Sequence, residues 1–420
     1  MAWDHVFLKN KFILYGMGIS NKEVERFFKE NNVKYLIVND DLEINDSYVI
    51  IKSPGIVNNT PFLKRCKKLN LLIINDIELF YLLRPNLKYI GITGTCGKTT
   101  TCTILYNIMK ATYNVGLCGN IGIPIFKYID ENVEYLIIEL SSFQLEYIDK
   151  FRVNYFIILN IYSHHLNHHL TFNNYLFSKL KLINNLLNED TLIINDKIAP
   201  HLRGWNLKSR VFTFSSDINK RICYDENYLY FNKHKLLIND IDYFKYEFNK
   251  ENFLSIYIIL KTLNIDDSTI KDELKMFNNL PHRMEKIFEN ESLIIINDSK
   301  STGFSSLIEA INYSLKSYKD YQLTLILGGK IDIEELRNNI ILIISLRKYQ
   351  VYCYGENKKI LSKLLDTEYY ENLSDVINNI NLLKKQVILF SPAAQSFDEF
   401  KSYEDRGEQF KKLILKRLKV

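Results

Sequence analysis

Residues 91–100 carry the residue types that hold a polyphosphate. They read Gly-Ile-Thr-Gly-Thr-Cys-Gly-Lys-Thr-Thr and follow the apolar run 87–90. Glycines let successive backbone N–H groups point inward, and a helix that opens at Lys98 adds the positive end of its dipole. Lys98 can neutralise the β- and γ-phosphates, and the Thr99 hydroxyl can bind Mg²⁺. In the common P-loop motif the first glycine would stand at position 92, and here it stands one position earlier, at Gly91. The Gly-x-x-Gly-Lys-Thr part is intact, so the pattern predicts a nucleotide site.

A carboxylate at the end of another apolar segment fits the same site. Glu139 follows residues 135–138, about 40 residues after Lys98. A carboxylate that leaves a strand beside a phosphate-binding loop can serve as a further anchor for Mg²⁺. The alternative is a solvated glutamate at a strand end, and the neighbouring loop favours the metal ligand.

Four of the eight histidines lie within six residues, in His164-His165-Leu-Asn-His168-His169. That density is compatible with a metal site, but adjacent histidines on a loop rarely all bind one ion. We therefore favour a polar loop with one functional imidazole, and His165 is the candidate. Lys179 follows in a helical pattern, where spacing alone favours an ordinary solvated lysine.

Further polar clusters stand at places where α/β folds bind ligands. They are Pro281-His282-Arg283, Asn297-Asp298-Ser-Lys300-Ser-Thr302 and Ser391-Pro-Ala-Ala-Gln-Ser396-Phe397. Taken singly, caps and turns explain such clusters as well as ligand contacts do. Near the N-terminus, Gly16-Met-Gly18-Ile19-Ser20 resembles a dinucleotide-binding fingerprint with Asn21 in place of the third glycine. A phosphate site and a plain strand-to-helix turn fit that segment equally well.

The predicted strands and helices that must position these residues alternate along almost the whole chain. Short β-rich runs are separated by helical patterns, which predicts an α/β protein with parallel sheets. Strands are expected at 11–15, 34–38, 135–138, 155–159, 293–296, 323–327, 351–354 and 387–390. A length of 420 residues corresponds to about three domains.

Composition excludes several classes of protein. A net charge of +5 suits anionic small ligands and falls short of the balance typical of nucleic-acid binding. Six cysteines without a C-x-x-C pair indicate a reduced protein without disulfides. No uninterrupted apolar run approaches the length of a membrane span, and the start lacks a signal pattern. We therefore expect a soluble, cytoplasmic protein that neither binds nucleic acid nor inserts into membranes.

Taken in order, these segments resemble the Mur ligases, ATP-dependent amide-forming enzymes of peptidoglycan assembly. The resemblance spans nearly the whole chain, and its motifs are the phosphate-binding loop, Ser53-Pro54-Gly55, Asp76-Ile-Glu-Leu-Phe80, Gly119-Asn120-Ile-Gly122, Glu139-Leu-Ser141-Ser-Phe-Gln144, Leu280-Pro-His-Arg283, Asn297-Asp-Ser-Lys300, Ser391-Pro-Ala and Tyr403-Glu-Asp-Arg406-Gly407. The Leu-Ser-Ser-Phe-Gln and Ser-Pro-Ala segments favour the members that add D-glutamate. The resemblance implies an N-terminal Rossmann-like UDP-binding domain (1–87), a central P-loop ATPase domain with a parallel sheet (88–280) and a C-terminal Rossmann-like domain that brings the amino acid (281–420).

The resemblance also implies a reaction and a set of site residues. ATP would phosphorylate the free carboxylate of UDP-N-acetylmuramoyl-L-alanine, and the D-glutamate amine would attack the acyl phosphate. Lys98, His165 and Lys179 would be catalytic, and two Mg²⁺ ions would be bound by Thr99, Glu139, His165 and Lys179, the last as a carbamate. ATP would contact Gly94, Thr95, Cys96, Gly97, Lys98, Thr99, Thr100, Asn252, Arg283 and Asp298. Substrate contacts would be Gly18, Ile19, Ser20, Asn39, Ser53, Pro54, Gly55, Asn120, Ser141, Gln144, Lys300, Thr302, Lys330, Ser396, Phe397 and Tyr403. The protein would be a monomer.

The sequence departs from the family pattern at several of these positions. The usual Asp-His is His164-His165, the usual loop asparagine is Cys96, and Lys330 directly follows two glycines in a shortened loop. Two alternatives remain open. A folylpolyglutamate-synthetase-like ligase shares the ATPase core, but the strand-rich first 85 residues and the Leu-Ser-Ser-Phe-Gln segment disfavour it. A non-catalytic P-loop protein would not need Glu139, His165 and Lys179 together.

Overall fold

The computed structural model describes residues 11–38, 48–162, 164–245, 247–277 and 281–419. The chain divides into two compact units, Met1–Phe277 and Asn278–Val420. Both units are built from mostly parallel sheets with helices between the strands, so the predicted α/β class is confirmed. None of the helices in the described ranges combines the length and apolar character needed to cross a bilayer.

The first unit begins with a four-stranded parallel sheet of order β2-β1-β3-β4. Its strands are β1 Lys11–Tyr15, β2 Tyr35–Val38, β3 Tyr48–Lys52 and β4 Ile73–Ile74, and its helices are α1 Ile19–Glu30, α2 Pro61–Lys68 and α3 Asp76–Leu83. Helices α2 and α3 begin at side-chain caps, because Thr60 Oγ1 accepts from Leu63 N and Asn75 Oδ1 accepts from Glu78 N. These caps fix the loops that follow β3 and β4.

A six-stranded parallel sheet of order β10-β9-β8-β5-β7-β6 forms the larger part of the first unit. Its strands are β5 Lys88–Thr93, β6 Val115–Gly119, β7 Tyr135–Glu139, β8 Tyr155–Ile158, β9 Thr191–Asn195 and β10 Arg210–Phe214. Central strands such as β7 are buried along their whole length, as expected for a sheet covered on both faces. The carboxyl ends of β5, β7 and β8 therefore lie side by side at one edge, where the strand order reverses.

The other elements of the first unit cover this sheet. Its helices are α4 Lys98–Met109, α5 Ser142–Glu146, α6 Leu166–His169, α7 Phe172–Leu180, α8 Glu247–Thr262 and α9 Asp267–Met276. Single 3₁₀ turns occupy Ile125–Tyr128, Lys181–Asn185, Ala199–Leu202 and Asp242–Lys245. A small antiparallel sheet consists of β11 Ile222–Tyr224, β12 Tyr228–Phe231 and β13 His234–Leu237. Helix α8 is buried on nearly all sides and packs in one core with α4.

The second unit contains a five-stranded sheet of order β14-β15-β18-β16-β17, in which only β14 runs antiparallel. Its strands are β14 Glu285–Glu289, β15 Leu293–Asn297, β16 Gln322–Gly328, β17 Gln350–Tyr354 and β18 Gln386–Phe390, so all four strands predicted here are confirmed. Its helices are α10 Phe304–Ser317, α11 Ile333–Asn338, α12 Ile340–Ser345, α13 Lys358–Leu365, α14 Leu373–Asn379 and α15 Tyr403–Leu418, with a 3₁₀ turn at Leu346–Lys348.

Candidate active site

The predicted phosphate-binding loop is the turn between β5 and α4. Strand β5 continues through Gly91 to Thr93, so Gly91 is a strand residue, and its assignment as the first glycine of the loop is wrong. A Cβ on Gly91 would lie 2.9 Å from Leu140 Cδ1, which means that packing against the neighbouring strand explains this glycine. Gly97 does belong to the loop. It has a φ of 84°, and a Cβ there would lie 2.5 Å from Asn252 Nδ2.

Asn160 holds the loop in shape, a role that the sequence reasoning missed. Its Oδ1 accepts from Thr95 N at 3.1 Å and from Cys96 N at 2.8 Å, and its Nδ2 donates to Cys96 O at 3.1 Å. Asn160 follows β8, the strand that pairs with β5 on the side opposite β7. The available signal was a polar residue at the end of a strand, but the pairing of β8 with β5 cannot be read from the sequence.

Lys98 and the threonines after it open α4. Lys98 Nζ donates to the carbonyls of Gly94, at 2.8 Å, and Thr95, at 3.0 Å, so the ammonium lies across the loop. Thr99 is in the first turn of α4, where backbone N–H groups and the helix dipole favour an anion. Thr100 Oγ1 is buried and has no hydrogen-bond partner within the described chain. The arrangement presents donors and one positive charge at the end of β5.

Glu139 ends β7 beside this loop. Its carboxylate is buried, and Oε1 accepts from Asn120 Nδ2 at 3.0 Å. The second oxygen, Oε2, is buried without a hydrogen-bond partner among the residues described. A buried carboxylate oxygen without a partner is costly unless a cation or a donor reaches it. Glu139 therefore has the free oxygen that a hard cation such as Mg²⁺ needs.

Lys179 lies in the last turn of α7 and is 2% exposed. Its Nζ donates to Gly94 O at 2.8 Å and to Thr93 Oγ1 at 3.3 Å, and it lies 4.9 Å from the centre of the Tyr175 ring. Burial, and secondarily the positive charge of Lys98, lower the pKa of Lys179 well below 10.5. In the part of the chain that the structure describes, no carboxylate forms an ion pair with it. Lys179 is thus a desolvated amine at the phosphate-binding loop, and not a solvated helix residue.

Tyr175 is a second residue that the sequence reasoning missed. Its hydroxyl lies 2.9 Å from Thr95 Oγ1, and its ring lies beneath the Lys179 amine. The spacing of four residues puts Tyr175 and Lys179 on one face of α7. That spacing was visible in the sequence, but only the burial of this face indicates that it matters.

His165 lies close to the same region. It has a left-handed backbone, with φ of 55°, and its ring centre lies 3.9 Å from that of His164 and 4.9 Å from that of Phe143. Burial, together with the charges of His164 and Lys179, lowers the pKa of His165 to about 2, and burial beside Lys98 lowers the pKa of His164 to about 4. Both imidazoles are therefore neutral at pH 7 and keep a lone pair for a metal or a proton.

The predicted UDP-substrate residues are described except Asn39, which lies outside the described residues. Gly18 and Ser53 are adjacent, since a Cβ on Gly18 would lie 2.7 Å from Ser53 Oγ. Asn21, which replaces the third glycine of the fingerprint, donates to the carbonyls of Gly16 and Ile51 at 2.8 and 2.9 Å, so it locks this turn to β3. Ile19 and Gly55 are exposed, and Ser20 and Pro54 are partly buried.

Ser141 and Gln144 are engaged with each other at the start of α5. Gln144 Oε1 accepts from Ser141 N at 2.9 Å, and Ser141 Oγ accepts from Gln144 N at 3.3 Å, which makes a capping box. Asn75 Nδ2 also donates to Gln144 O at 2.7 Å, joining the loop before α3 to α5. These contacts give both residues a structural role that the sequence reasoning did not assign.

The other predicted residues belong to the second unit. Asp298 follows β15, where its carboxylate accepts from Ser391 Oγ at 2.8 Å and from Met284 N at 3.3 Å; burial raises its pKa to about 7. Arg283 has a buried Nε that lacks a partner in the described ranges.

The residues predicted to bind the amino acid differ in exposure. Lys300 Nζ lies 5.0 Å from the centre of the Tyr403 ring. The Lys330 backbone pairs with Gln395, while its ammonium lies 3.7 Å from Glu356. Thr302 is partly buried, Ser396 is buried, and Phe397 is 70% exposed.

Comparison with known proteins identifies relatives along almost the whole chain. Residues 92–255 match the Mur ligase middle domain. The UDP-N-acetylmuramoylalanine–D-glutamate ligase of Caldicellulosiruptor saccharolyticus is 32% identical over 95% of this chain and 90% of its own length. The protein of the same name in Buchnera aphidicola subsp. Acyrthosiphon pisum is 32% identical over 97% of this chain and 98% of its own length. Among solved structures, the MurF ligase of Thermotoga maritima in complex with ADP aligns with a TM-score of 0.60 at 16% identity, over 98% of this chain and 99% of that one, and so shares the fold.

Proposed function

The chain belongs to the Mur ligase family, and we propose that it joins D-glutamate to UDP-N-acetylmuramoyl-L-alanine by means of ATP. Relatives named for this reaction match almost end to end, and the Leu-Ser-Ser-Phe-Gln and Ser-Pro-Ala segments support the choice of amino acid. The observation that carries the reaction class is the meeting of Lys98, Glu139 and Lys179 around the end of β5. This set supplies charge for a phosphoryl transfer, which a simple binding protein would not need.

The proposed reaction has two bond-forming steps. An oxygen of the alanine carboxylate attacks the γ-phosphorus of ATP, the bond to the β-phosphate oxygen breaks, and ADP and an acyl phosphate result. The D-glutamate amine then attacks the acyl carbon, phosphate leaves with the C–O bond electrons, and the new amide nitrogen loses a proton. Both steps need neutralised phosphate charge and closely oriented reactants more than they need covalent chemistry by the protein.

The loop residues would bind the triphosphate. We expect Lys98 to exchange its two carbonyl partners for phosphate oxygens, since its ammonium is only partly buried and lies across the loop. The N–H groups at the start of α4 would donate to the same phosphates. Asn160 would keep the loop backbone in place through its bonds to Thr95 and Cys96. We also propose Asn252, Arg283 and Asp298 as nucleotide contacts.

Two Mg²⁺ ions are part of the proposal, and the residues of the first unit fit them. Thr99 and Glu139 would hold one ion, because Glu139 Oε2 is buried without a partner in the described ranges. His165 and a carbamate on Lys179 would hold the other, because His165 is neutral at pH 7 and has a lone pair. When bound, Mg²⁺ neutralises phosphate charge and polarises the transferred phosphoryl group. His164 would lie beside the second ion in place of the family's usual aspartate.

The state of the Lys179 amine supports the carbamate. An amine reacts with CO₂ only when it is neutral, forming an N–C bond and releasing a proton. Burial and the charge of Lys98 favour this neutral form. The product has one negative charge shared by two oxygens, the ligand type that Mg²⁺ prefers, and its remaining N–H can still donate to Gly94 O.

We propose that the chain is a cytoplasmic monomer with three functional domains. Residues 1–87 would bind the UDP part of the substrate, and the contacts would come from Gly18, Ile19, Ser20, Asn39, Ser53, Pro54 and Gly55. Residues 88–280 would bind ATP and would reach the substrate through Asn120, Ser141 and Gln144. Residues 281–420 would bring D-glutamate, and the contacts would come from Lys300, Thr302, Lys330, Ser396, Phe397 and Tyr403. The cation–ring contact between Lys300 and Tyr403 supports a binding surface for a carboxylate at this position.

Phosphate release from the full chain tests the proposal. ATP, Mg²⁺ and UDP-N-acetylmuramoyl-L-alanine should give sustained release only when D-glutamate is added, and the amide product should appear in equal amount by mass spectrometry. The Lys98→Ala variant is the control for contaminating ATPases. Turnover with a folate substrate and glutamate would favour the folylpolyglutamate-type alternative. ATP binding without turnover on either substrate would favour the non-catalytic one.

A further inference from the structure

We propose that Glu146, His168 and His169 form a binding site for a divalent transition-metal ion such as Zn²⁺, separate from the residues assigned above to Mg²⁺. Glu146 ends α5, and the two histidines end α6. One donor atom of each side chain lies within 4.8 Å of the others. His168 Nε2 is 2.9 Å from Glu146 Oε2, and His169 Nδ1 is 3.0 Å from Glu146 Oε1. Two imidazole nitrogens therefore face the two oxygens of one carboxylate.

The neighbours of His168 permit the tautomer in which its Nε2 carries a lone pair toward this carboxylate. Asn58 Nδ2 lies 2.7 Å from Glu146 Oε2 and 3.1 Å from His168 Nε2, so the amide can donate one hydrogen to each. The Tyr147 hydroxyl donates to Asn58 Oδ1 at 2.6 Å, which fixes that orientation of the amide. In the tautomer with Nε2 unprotonated, His168 accepts from Asn58 and directs its lone pair at a carboxylate oxygen 2.9 Å away. Two acceptors at this distance are stabilised by a cation between them.

His169 gives an independent indication. Its Nε2 lies 2.9 Å from Ser142 Oγ, and its side chain is 1% exposed. Its Nδ1 is buried and makes no bond of hydrogen-bond geometry within the described chain, although it lies 3.0 Å from Glu146 Oε1. His169 Nε2 can donate to Ser142 Oγ, and in that tautomer Nδ1 carries the lone pair that a metal needs. His169 thus directs at the carboxylate a buried nitrogen that makes no hydrogen bond within the described chain.

The donor types select the class of ion. Two imidazoles and one carboxylate are a common ligand set for Zn²⁺, and Co²⁺, Ni²⁺ and Cu²⁺ accept it as well. Mg²⁺ and Ca²⁺ prefer ligand sets made of oxygen, so Mg²⁺ should bind here weakly even at the concentrations that ATP requires. The three ligands would leave a remaining position to solvent. The ion would also join α5 to α6 and, through Asn58, to the loop after β3.

Cobalt spectroscopy on the full chain tests the site. After chelator treatment and in saturating Mg²⁺, we expect the protein to bind about one Co²⁺ per chain. The bound Co²⁺ should show the intense visible d–d bands that are typical of a low coordination number, and Zn²⁺ should displace it. Glu146→Gln, His168→Ala and His169→Ala should each weaken Co²⁺ and Zn²⁺ binding by at least about tenfold, since the loss of a ligand costs more than the loss of an outer-shell partner. His201→Ala is the matched control, because His201 is exposed in the Ala199–Leu202 turn and should leave binding unchanged. His165→Ala should also retain the ion.

Other results of these experiments would contradict the proposed metal site. Visible bands that survive both histidine variants, or that disappear only with His165→Ala, would move the ion to another site and overturn the proposal. If a variant fails to fold, a crystal of the wild-type protein soaked in Zn²⁺ decides the matter. An anomalous peak between Glu146, His168 and His169 would support the site, and a map without one there would leave only an ion-paired cluster.

Discussion

Replacing Lys179 with methionine separates the chemistry of this residue from its packing. Methionine keeps the length and apolar stem of the side chain in α7 but removes the amine and any carbamate. Gly94 O keeps a donor in the variant, because Lys98 Nζ also bonds to it at 2.8 Å. In the protein without ATP, the change therefore removes one catalytic group without leaving a buried carbonyl unpaired. We expect turnover to fall by about two decades, which corresponds to ~3 kcal/mol of transition-state stabilisation.

The same substitution should not destabilise the fold at neutral pH. Burial and the Lys98 charge hold the pKa of Lys179 well below 10.5, so the unfolded chain binds a proton that the folded chain releases. The free energy of unfolding of the wild type should then rise with pH between the lowered pKa and about 10.5, by up to ~1.4 kcal/mol per pH unit. Below the lowered pKa the full cost of the buried ammonium is present. Lys179→Met removes this contribution, and its unfolding free energy should lack that slope.

Urea unfolding followed by tryptophan fluorescence measures this difference. The tryptophans are at positions 3 and 205, and the second unit contains none, so the signal reports on the first unit. Wild type, Lys179→Met and the control Lys150→Met, an exposed lysine, are compared between about pH 7 and pH 9. Phosphate release is measured on the same preparations, with CO₂ removed and then with bicarbonate restored. Near-normal turnover of Lys179→Met, or an equal pH slope in it and the wild type, would refute the reasoning.

Two further substitutions and one change of substrate test other parts of the proposed site. Lys98→Ala should lower phosphate release by about two decades while circular dichroism stays that of the wild type, and a loss of less than about threefold would contradict the nucleotide assignment. Asn160→Ala removes the acceptor of Cys96 N–H and one of the two acceptors of Thr95 N–H, and it should raise KM for ATP about tenfold, or ~1.4 kcal/mol, with unchanged calorimetric binding of the UDP substrate. L-Glutamate should be a poor substrate, since inverting the stereocentre misplaces the amine or a carboxylate, and equal phosphate release with both enantiomers would exclude the proposed D-glutamate pocket.

The parts of the site that are local in sequence could be predicted, and those that depend on strand pairing could not. The loop before α4 and the carboxylate at the end of β7 each follow one apolar run, so periodicity and a short motif were sufficient. Asn160 acts on Thr95 and Cys96 across 64 or 65 positions, and this contact requires β8 to pair with β5. Gly91 was misassigned for a related reason. The end of β5 is set by its pairing with two neighbours, which carries the strand to Thr93.

Contact with a carboxylate, more than spacing, distinguishes the two histidine pairs, and burial gives Lys179 its chemistry. The rule that adjacent histidines rarely bind one ion favoured a single functional imidazole, and it took no account of a carboxylate from another element. Glu146 lies 22 residues before His168 and reaches it because the fold brings α5 and α6 together.

The Phe143 ring contacts both His165, at 4.9 Å, and His168, at 4.5 Å between ring centres. If both proposals hold, one aromatic side chain on α5 packs against a ligand of each metal, so Phe143→Ala should perturb both sites, whereas His168→Ala should affect only the Zn²⁺ site.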